Sequence, residues 1–119
     1  MKIYLAGPMR GIPEFNFPAF HEAARILRNK GHAVFSPAEA DIEKHGDISV
    51  GNHFGSELLA TEEHGFNLRE TLATDLTWIC KEADAVALLP GWQNSLGAQA
   101  ERAIALALHL NIMELEFGY

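Results

Sequence analysis

Apolar residues in this chain occur in short β-prone runs that alternate with stretches of helical spacing. Residues 2–6 form the first such run, which stops at Gly7-Pro8 and predicts a buried strand followed by a loop. From Asn16 onward the apolar residues recur at helical spacing. Pro18 suits a first helical turn and Gly31 suits the position after the last one, so we predict a helix between them.

The alternation of strand and helix continues along the chain. Residues 32–35 predict a second strand, and the short connection before it favours a right-handed unit with parallel strands. Residues 68–82 return to helical spacing, and residues 83–89 predict a third strand that Pro90 ends. A last helix is predicted from the cap residue Ser95 to about His109, and the alternating residues 112–117 predict a half-exposed last strand.

These elements predict one α/β domain over residues 1–119, built in three layers around a mostly parallel four-stranded sheet. We expect the strand order 2-1-3-4, as in a Rossmann-like or flavodoxin-like sheet. A length of 119 residues suits one compact domain, and a hydrophobic content of 48% is ordinary for a soluble protein.

Two segments suggest a covered site or interface. The polar stretch 38–67 has only one modest helical signal, around residues 56–63, and so long an irregular connection is uncommon unless it covers a site or a subunit contact. A lid or a dimer contact is one hypothesis, and a disordered loop is the plain alternative. The last helix is apolar on nearly every side, which predicts a homodimer or a higher homo-oligomer.

Charge and cysteine content narrow the class of protein. A formal net charge of -7 argues against polymeric DNA or RNA as a partner, although a mononucleotide needs only a few N–H groups and one Arg. The single Cys80 forms no internal disulfide, and the N-terminus shows no leader pattern. The apolar stretch 98–110 is too short to span a bilayer. We therefore expect a cytoplasmic protein with no membrane segment.

The loops after the first and third strands are the expected ligand site, because ligands bind beyond the carboxyl ends of parallel strands. Residues 7–11 offer glycine backbone and Arg10, and residues 91–97 lead into a helix N-terminus that favours an anion. The glycine spacing matches neither a dinucleotide fingerprint nor a Walker loop. Two carboxylates remain: Glu101, on the helix face of Gly97, and Asp75, in the helix before the third strand.

Three parts of the sequence form one pattern, and they are Tyr4-Leu5-Ala6-Gly7-Pro8-Met9-Arg10-Gly11, Asp75 with Ala83-Asp84, and Ser95-Leu96-Gly97 with Glu101. In this pattern the sequence resembles the nucleoside 2-deoxyribosyltransferase superfamily, including the 2′-deoxynucleoside 5′-phosphate N-hydrolases. The resemblance spans most of the chain. A small subgroup of that superfamily also shares the stretches Leu89-Pro90-Gly91-Trp92 and Phe15-Asn16-Phe17-Pro18.

The resemblance implies cleavage of the N-glycosidic bond of a nucleoside or nucleoside 5′-monophosphate. Glu101 would be the nucleophile at the anomeric carbon, Asp75 would assist at the sugar or the departing base, and Tyr4 would orient the nucleophile. The chemistry is that of a retaining glycosidase with a covalent glycosyl-enzyme. It implies no metal and no organic cofactor.

The resemblance also implies where the substrate lies. The 5′-phosphate would lie near the first loop and near the loop of Ser95. Pro8 stands where the phosphate hydrolases carry a Ser, which removes a hydroxyl donor and leaves the need for a phosphate open. Trp92 is a candidate for stacking on a base or sealing a subunit contact. The other predicted substrate contacts are Gly7, Met9, Arg10, Ser95 and Gly97.

Each of these residues also has a plain structural reading. Glu101 has Arg102 or Arg69 as an alternative ion-pair partner, Tyr4 suits a core position, and Ser95 is first of all a helix cap. The alternative for Asp75 is a solvated position on its helix, and the alternative for Arg10 is a position on the surface without a ligand. The irregular spacing of His45, His53 and His64 favours solvated histidines over a metal site.

The sequence leaves two other functions open for this protein. One is transfer of a deoxyribosyl group from one base to another, which uses the same covalent intermediate as hydrolysis. The other is a non-catalytic module that binds or senses a nucleotide without turnover.

Overall fold

The fold is known from a computed structural model, which describes residues 1–45 and 67–116. Its sheet consists of β1 (Lys2–Ala6), β2 (Ala33–Phe35), β3 (Ala85–Leu88) and β4 (Asn111–Glu114). All neighbouring strands are parallel, and their order is β2-β1-β3-β4. The predicted α/β class and strand order are therefore confirmed.

Helices cover both faces of this sheet within the described ranges. They are α1 (Phe17–Asn29), α2 (Pro37–His45), α3 (Leu68–Glu82) and α4 (Leu96–Ala107). Side chains of α1 and α2 pack in one buried cluster, and side chains of α3 and α4 pack in the other. The sheet lies between these two clusters, which gives the three layers that the alternation of elements predicts.

The strand β1 is central and buried, and its alternation decides which residues reach which face. Ile3 and Leu5 belong to the cluster under α1, whereas Tyr4 and Ala6 belong to the cluster under α3 and α4. Successive side chains of a strand point to opposite faces, so this division follows from the sequence alone once the strand is assigned. Tyr4 is thereby directed towards α4, the helix that carries Glu101.

The helix starts near the carboxyl edge of the sheet are fixed by side-chain caps. The Asn67 side chain accepts from the Glu70 N–H at 3.1 Å at the start of α3, and the Ser95 hydroxyl accepts from the Ala98 N–H at 3.2 Å at the start of α4. The predicted cap at Ser95 is confirmed. The helix α4 ends at Ala107 rather than about residue 109, because His109 has a left-handed backbone with φ 58°.

One prediction for the polar stretch after β2 was wrong. Residues Pro37–His45 form a helix where the sequence pattern predicted an irregular connection. The pattern missed this helix because its inward positions include Asp41 beside Ala38, so its buried face is not purely apolar. The weak helical signal at residues 56–63 lies outside the described residues, and so does most of the proposed lid.

Candidate functional site

A cavity of about 320 Å³ opens at the carboxyl edge of the sheet, between the loop after β1 and the starts of α3 and α4. Its position is the one that parallel α/β sheets favour for ligands. Of the nine residues that the sequence nominates, eight line this cavity. They are Tyr4, Gly7, Met9, Arg10, Asp75, Ser95, Gly97 and Glu101.

The base of the cavity holds a buried carboxyl joined to a buried phenol. The Tyr4 hydroxyl donates a hydrogen bond to Oε2 of Glu101, and both side chains lie in the interior, with Glu101 only 5% exposed. Glu101 shares the inward face of α4 with Ala98 and Ala105, so the helix register directs it to the sheet. A carboxyl group bonded in this way has one oxygen fixed and its orientation set.

A second carboxyl, Asp75, completes the group. It lies on α3, is 5% exposed, and lines the same cavity. Its charge acts on both neighbours, since it raises the pKa of Glu101 and the pKa of Tyr4. Residues from β1, α3 and α4 therefore converge on one small volume.

The protonation of this group is set mainly by burial. Loss of solvent raises the pKa of Glu101 to about 8, the hydrogen bond from Tyr4 opposes that rise, and the charge of Asp75 adds to it. Burial, followed by the charge of Glu101, raises the pKa of Tyr4 well above its usual value. Tyr4 is thus a neutral donor, and Glu101 exchanges its proton near physiological pH.

No cationic side chain neutralises Glu101 within residues 1–45 and 67–116. The Arg102 guanidinium, one of the two expected ion-pair partners, instead lies 5.0 Å from the centroid of the Trp92 ring. The other, Arg69, is exposed near the start of α3. Glu101 is consequently a carboxyl held in a cavity by a neutral donor, which is an arrangement typical of catalytic acids, bases and nucleophiles.

The absence of a side chain has a different structural consequence at each of the two glycines of the cavity. A Cβ on Gly7 would lie 2.7 Å from the Cβ of Leu89, so the first loop needs glycine to pack against the end of β3. A Cβ on Gly97 would meet nothing closer than 4.0 Å. The fold therefore requires Gly7, whereas the missing side chain of Gly97 leaves space in the cavity.

Of the remaining residues predicted to contact substrate, two lie at the cavity mouth and one lies outside the cavity. Arg10 is exposed and Met9 is half-buried, and both border the cavity. Trp92 is not among the lining residues. Its indole Nε1 donates to Oε1 of Glu114 at 3.1 Å, and its ring faces Arg102. Trp92 therefore belongs to a cluster beside α4 and β4 rather than to the cavity wall.

Sequence reasoning missed several residues that line the cavity. Asp41 is 5% exposed on α2, and Thr71 precedes Asp75 by one turn of α3. The Thr71 hydroxyl is buried without a hydrogen-bond partner in the part of the chain that the structure describes. The spacing from Asp75 was a usable signal for Thr71 and Leu72. The apolar lining includes Phe15, Phe20, Pro37, Leu68 and Leu72.

Among the described residues, no group of three or more His, Cys, Asp or Glu side chains is arranged to hold a metal ion. Of the three histidines weighed as metal ligands, His53 and His64 lie outside those residues. In residues 1–45 and 67–116 no helix has both the length and the apolar content needed to cross a membrane.

The fold and cavity define an α/β protein with a buried Tyr–Glu–Asp group at the carboxyl edge of a parallel sheet. The chain belongs to the family described as Domain of unknown function (DUF4406), whose model matches residues 1–114. No curated protein and no solved structure matches the chain.

Proposed function

We propose that this protein hydrolyses the N-glycosidic bond of a nucleoside or nucleoside 5′-monophosphate, with Glu101 as the nucleophile. The observation that carries the proposal is the meeting of Glu101, Tyr4 and Asp75 at the base of one cavity. The resemblance of the sequence to the nucleoside 2-deoxyribosyltransferase superfamily assigns roles to these same three residues. The cavity volume of about 320 Å³ is at the lower end for small-ligand sites and suits one molecule of nucleoside size.

The proposed reaction has two steps. In the first, a carboxylate oxygen of Glu101 forms a bond to the anomeric carbon, and the bond from that carbon to the base nitrogen breaks. The base leaves with the electron pair and takes a proton, which Asp75 or water supplies. In the second step water attacks the anomeric carbon and gives up one proton to Asp75 or to solvent, the bond to Glu101 breaks with its electron pair returning to the carboxylate, and the free sugar is released.

The hydrogen bond between Tyr4 and Glu101 supports a nucleophile rather than a permanent acid. The pKa of Tyr4 lies well above its usual value, so the phenol keeps its proton and donates a hydrogen bond to Glu101. This hydrogen bond stabilises the ionised form of Glu101. A neutral donor also fixes the direction of the attacking carboxylate. Tyr4 is therefore a positioning residue in the proposed mechanism.

The residues at the mouth of the cavity favour a substrate that carries an anionic group. Ser95 and Gly97 lie at the N-terminus of α4, where free backbone N–H groups and the helix dipole favour negative charge. Arg10 borders the same opening. These three residues would contact a 5′-phosphate, while Pro8 provides no hydroxyl or N–H of its own.

A panel of ribo- and deoxyribonucleosides and their 5′-monophosphates tests the activity, with released base measured by chromatography. We expect base release from at least one member, and loss of at least about 10³-fold in Glu101→Ala. The matched control is Glu22→Gln, a half-exposed glutamate that pairs with Arg25 on α1, outside the cavity lining. Base release that survives in Glu101→Ala would reject Glu101 as the nucleophile.

The same panel separates the two alternative functions. Adding a second free base to the reaction diverts the glycosyl group into a new nucleoside if the protein is a transferase. A non-catalytic binding or sensing module would show a ligand-dependent rise in melting temperature without any product.

We further propose that the protein self-associates through the outer face of α4. The inward face of this helix is buried, while Leu106 is 48% exposed and the adjoining Leu108 is 43% exposed. Ala100, Ala103 and Ala107 extend the same apolar surface. Burial of this surface against a second copy would remove it from water.

A further inference from the structure

We propose that Asn16 is a positioning residue, which holds the first loop, residues 7–11, in the arrangement that contacts substrate. The inference rests on the proposed function, because residues of this loop line the cavity in which the cleavage would take place. It is carried by a hydrogen bond from the Asn16 side chain to the loop. Two further features of Asn16, its missing helix cap and its left-handed backbone, show that the residue does not serve its own helix.

The hydrogen bond joins the start of α1 to a residue of the cavity lining. The Asn16 amide nitrogen Nδ2 donates to the Pro8 carbonyl at 3.1 Å, and the contact is partly buried. A carbonyl only accepts hydrogen bonds, so the nitrogen and not the oxygen of the Asn16 amide must face Pro8. Pro8 lines the cavity together with its neighbours Gly7 and Met9. Asn16 itself is not a lining residue, so any effect on substrate passes through the loop.

The stability of α1 does not explain where this side chain lies. Asn16 occupies the N-cap position of α1, where an asparagine side chain usually accepts a hydrogen bond from an N–H of the first helical turn. The Asn16 side chain makes no such bond. The helix therefore lacks the stabilisation that a cap supplies, and the amide contacts the loop instead.

The backbone at this position is costly as well. Glu14, Phe15 and Asn16 have left-handed conformations with φ of 56°, 53° and 60°. Residues other than glycine adopt this region at a cost in free energy, which asparagine tolerates better than most, and such conformations concentrate at ligand sites. The turn brings Phe15 into the cavity lining and Asn16 against Pro8.

Packing alone restricts the beginning of the first loop. A Cβ on Gly7 would lie 2.7 Å from the Leu89 Cβ, and a Cβ on Gly91 would lie 3.4 Å from the Pro8 side chain. The loop after β3 therefore packs against residues 7 and 8. The Asn16 hydrogen bond then fixes the Pro8 carbonyl, from which the chain continues to Arg10 at the cavity mouth.

Glycine at residue 16 separates the hydrogen bond from the backbone conformation. Asn16→Gly accepts the left-handed region without strain and removes the donor. Glu14→Gly is the matched control, because Glu14 is exposed, has the same conformation and does not line the cavity. An effect of relieved strain or of glycine flexibility appears in both variants. Asn16→Asp is a second test variant, since aspartate also tolerates this region and its ionised carboxylate cannot donate.

Amide hydrogen exchange measures the order of the loop without any substrate. The Ile12 N–H donates to the Met9 carbonyl at 3.2 Å, so its exchange rate reports whether the loop keeps its arrangement. We expect exchange at Ile12 to be about 3- to 10-fold faster in Asn16→Gly and in Asn16→Asp than in the wild type. Glu14→Gly should keep the wild-type rate. Equal exchange in the wild type and in a folded residue-16 variant overturns the inference.

Steady-state kinetics with the nucleoside or nucleotide that the wild type cleaves best measure the consequence for substrate. We expect KM to rise about 3- to 10-fold in both residue-16 variants while kcat changes less than about twofold, because the Tyr4–Glu101 hydrogen bond is not altered. A merely structural role would lower kcat through loss of folded protein and leave KM unchanged, and that result overturns the inference. So does an equal rise of KM in Glu14→Gly. If no substrate releases base, the proposed function is rejected, and exchange at Ile12 still decides whether Asn16 holds the loop.

Discussion

Tyr4 and Glu101 are separated by 97 positions in the chain, yet the phenol of Tyr4 donates a hydrogen bond to the Glu101 carboxyl inside the protein. The contact joins the central strand β1 to α4. It also holds an ionisable group where burial raises its pKa to about 8. A buried acid of this kind is costly to ionise, so the site and the stability of the fold are linked through one proton.

The first prediction concerns stability as a function of pH in Glu101→Gln. The pKa of Glu101 is about 8 in the folded protein, against an ordinary value of 4.5. Folding therefore takes up a proton between these values, and the stabilising contribution is complete below pH 4.5 and is lost as pH rises through 8. Glutamine does not titrate, so Glu101→Gln should become more stable than the wild type as pH rises, by on the order of 4 kcal/mol at pH 8.

Urea unfolding of both proteins at several pH values between 4 and 9 measures this difference. The control Glu22→Gln alters a half-exposed group whose pKa is lowered by Arg25, so it should show no growing stabilisation towards pH 8. A wild type and a Glu101→Gln variant that lose stability in parallel over this range would show that Glu101 ionises freely in the folded state.

The second prediction concerns the pH profile of base release and the part that Tyr4 plays in it. If ionised Glu101 is the nucleophile, kcat/KM should rise with pH up to about 8. Tyr4→Phe removes the hydrogen bond that lowers the pKa of Glu101, so the rising limb should move to higher pH. The rate at pH 7 then falls about tenfold for each unit of that movement.

A steady-state pH series with the wild type and Tyr4→Phe is the measurement. Recovery of the Tyr4→Phe rate at high pH distinguishes an effect on ionisation from damage to the fold. Activity that falls as pH rises towards 8 would assign Glu101 the role of a general acid instead.

The third prediction compares alanine at the two glycines of the cavity. Gly97→Ala adds a methyl group in helix α4 where nothing lies closer than 4.0 Å, so stability should rise by up to about 1 kcal/mol. Base release should nevertheless fall, because the methyl group enters space that the substrate would fill. Gly7→Ala should destabilise the protein, since its Cβ meets Leu89 at 2.7 Å.

Thermal unfolding and KM together test this pair of variants. A Gly97→Ala protein that is more stable and has a raised KM supports substrate binding beside the start of α4. Unchanged KM and kcat in this variant would place the substrate elsewhere.

The fourth prediction concerns self-association. Leu106→Lys places a charge on the exposed face of α4, away from the lining of the cavity. We expect sedimentation to show an oligomer for the wild type and a smaller species for this variant. A monomeric wild type at micromolar concentration would contradict the proposed α4 contact.

Most of the fold was predictable from the sequence because its buried faces are apolar and regularly spaced. The bounds of α3 match the predicted residues 68–82, and the order of the strands follows from short right-handed connections. The helix α2 was not predictable in the same way. Its buried face includes Asp41, and a buried carboxyl looks like a surface residue when only polarity is considered.

The candidate site was predictable where the chain supplies spacing or strand alternation. Alternation along β1 directs Tyr4 to one face, and helix register places Glu101 four residues after Gly97. The cavity wall formed by Phe15 and Asp41 was not predictable, because it depends on left-handed backbone at residues 14–16 and on the packing of α2. Trp92 is the opposite case, because the sequence predicts a substrate contact there, whereas its side chain contacts Glu114 and Arg102.

The central claim is a covalent bond between the substrate sugar and Glu101, and mass spectrometry of the acid-quenched reaction tests it most directly. We expect the intact protein to gain the mass of one sugar or sugar phosphate during turnover. Peptide mapping should then locate the added mass at Glu101, and Glu101→Gln should show none. Base release from an unmodified wild-type protein, or modification of a different side chain, would contradict the account.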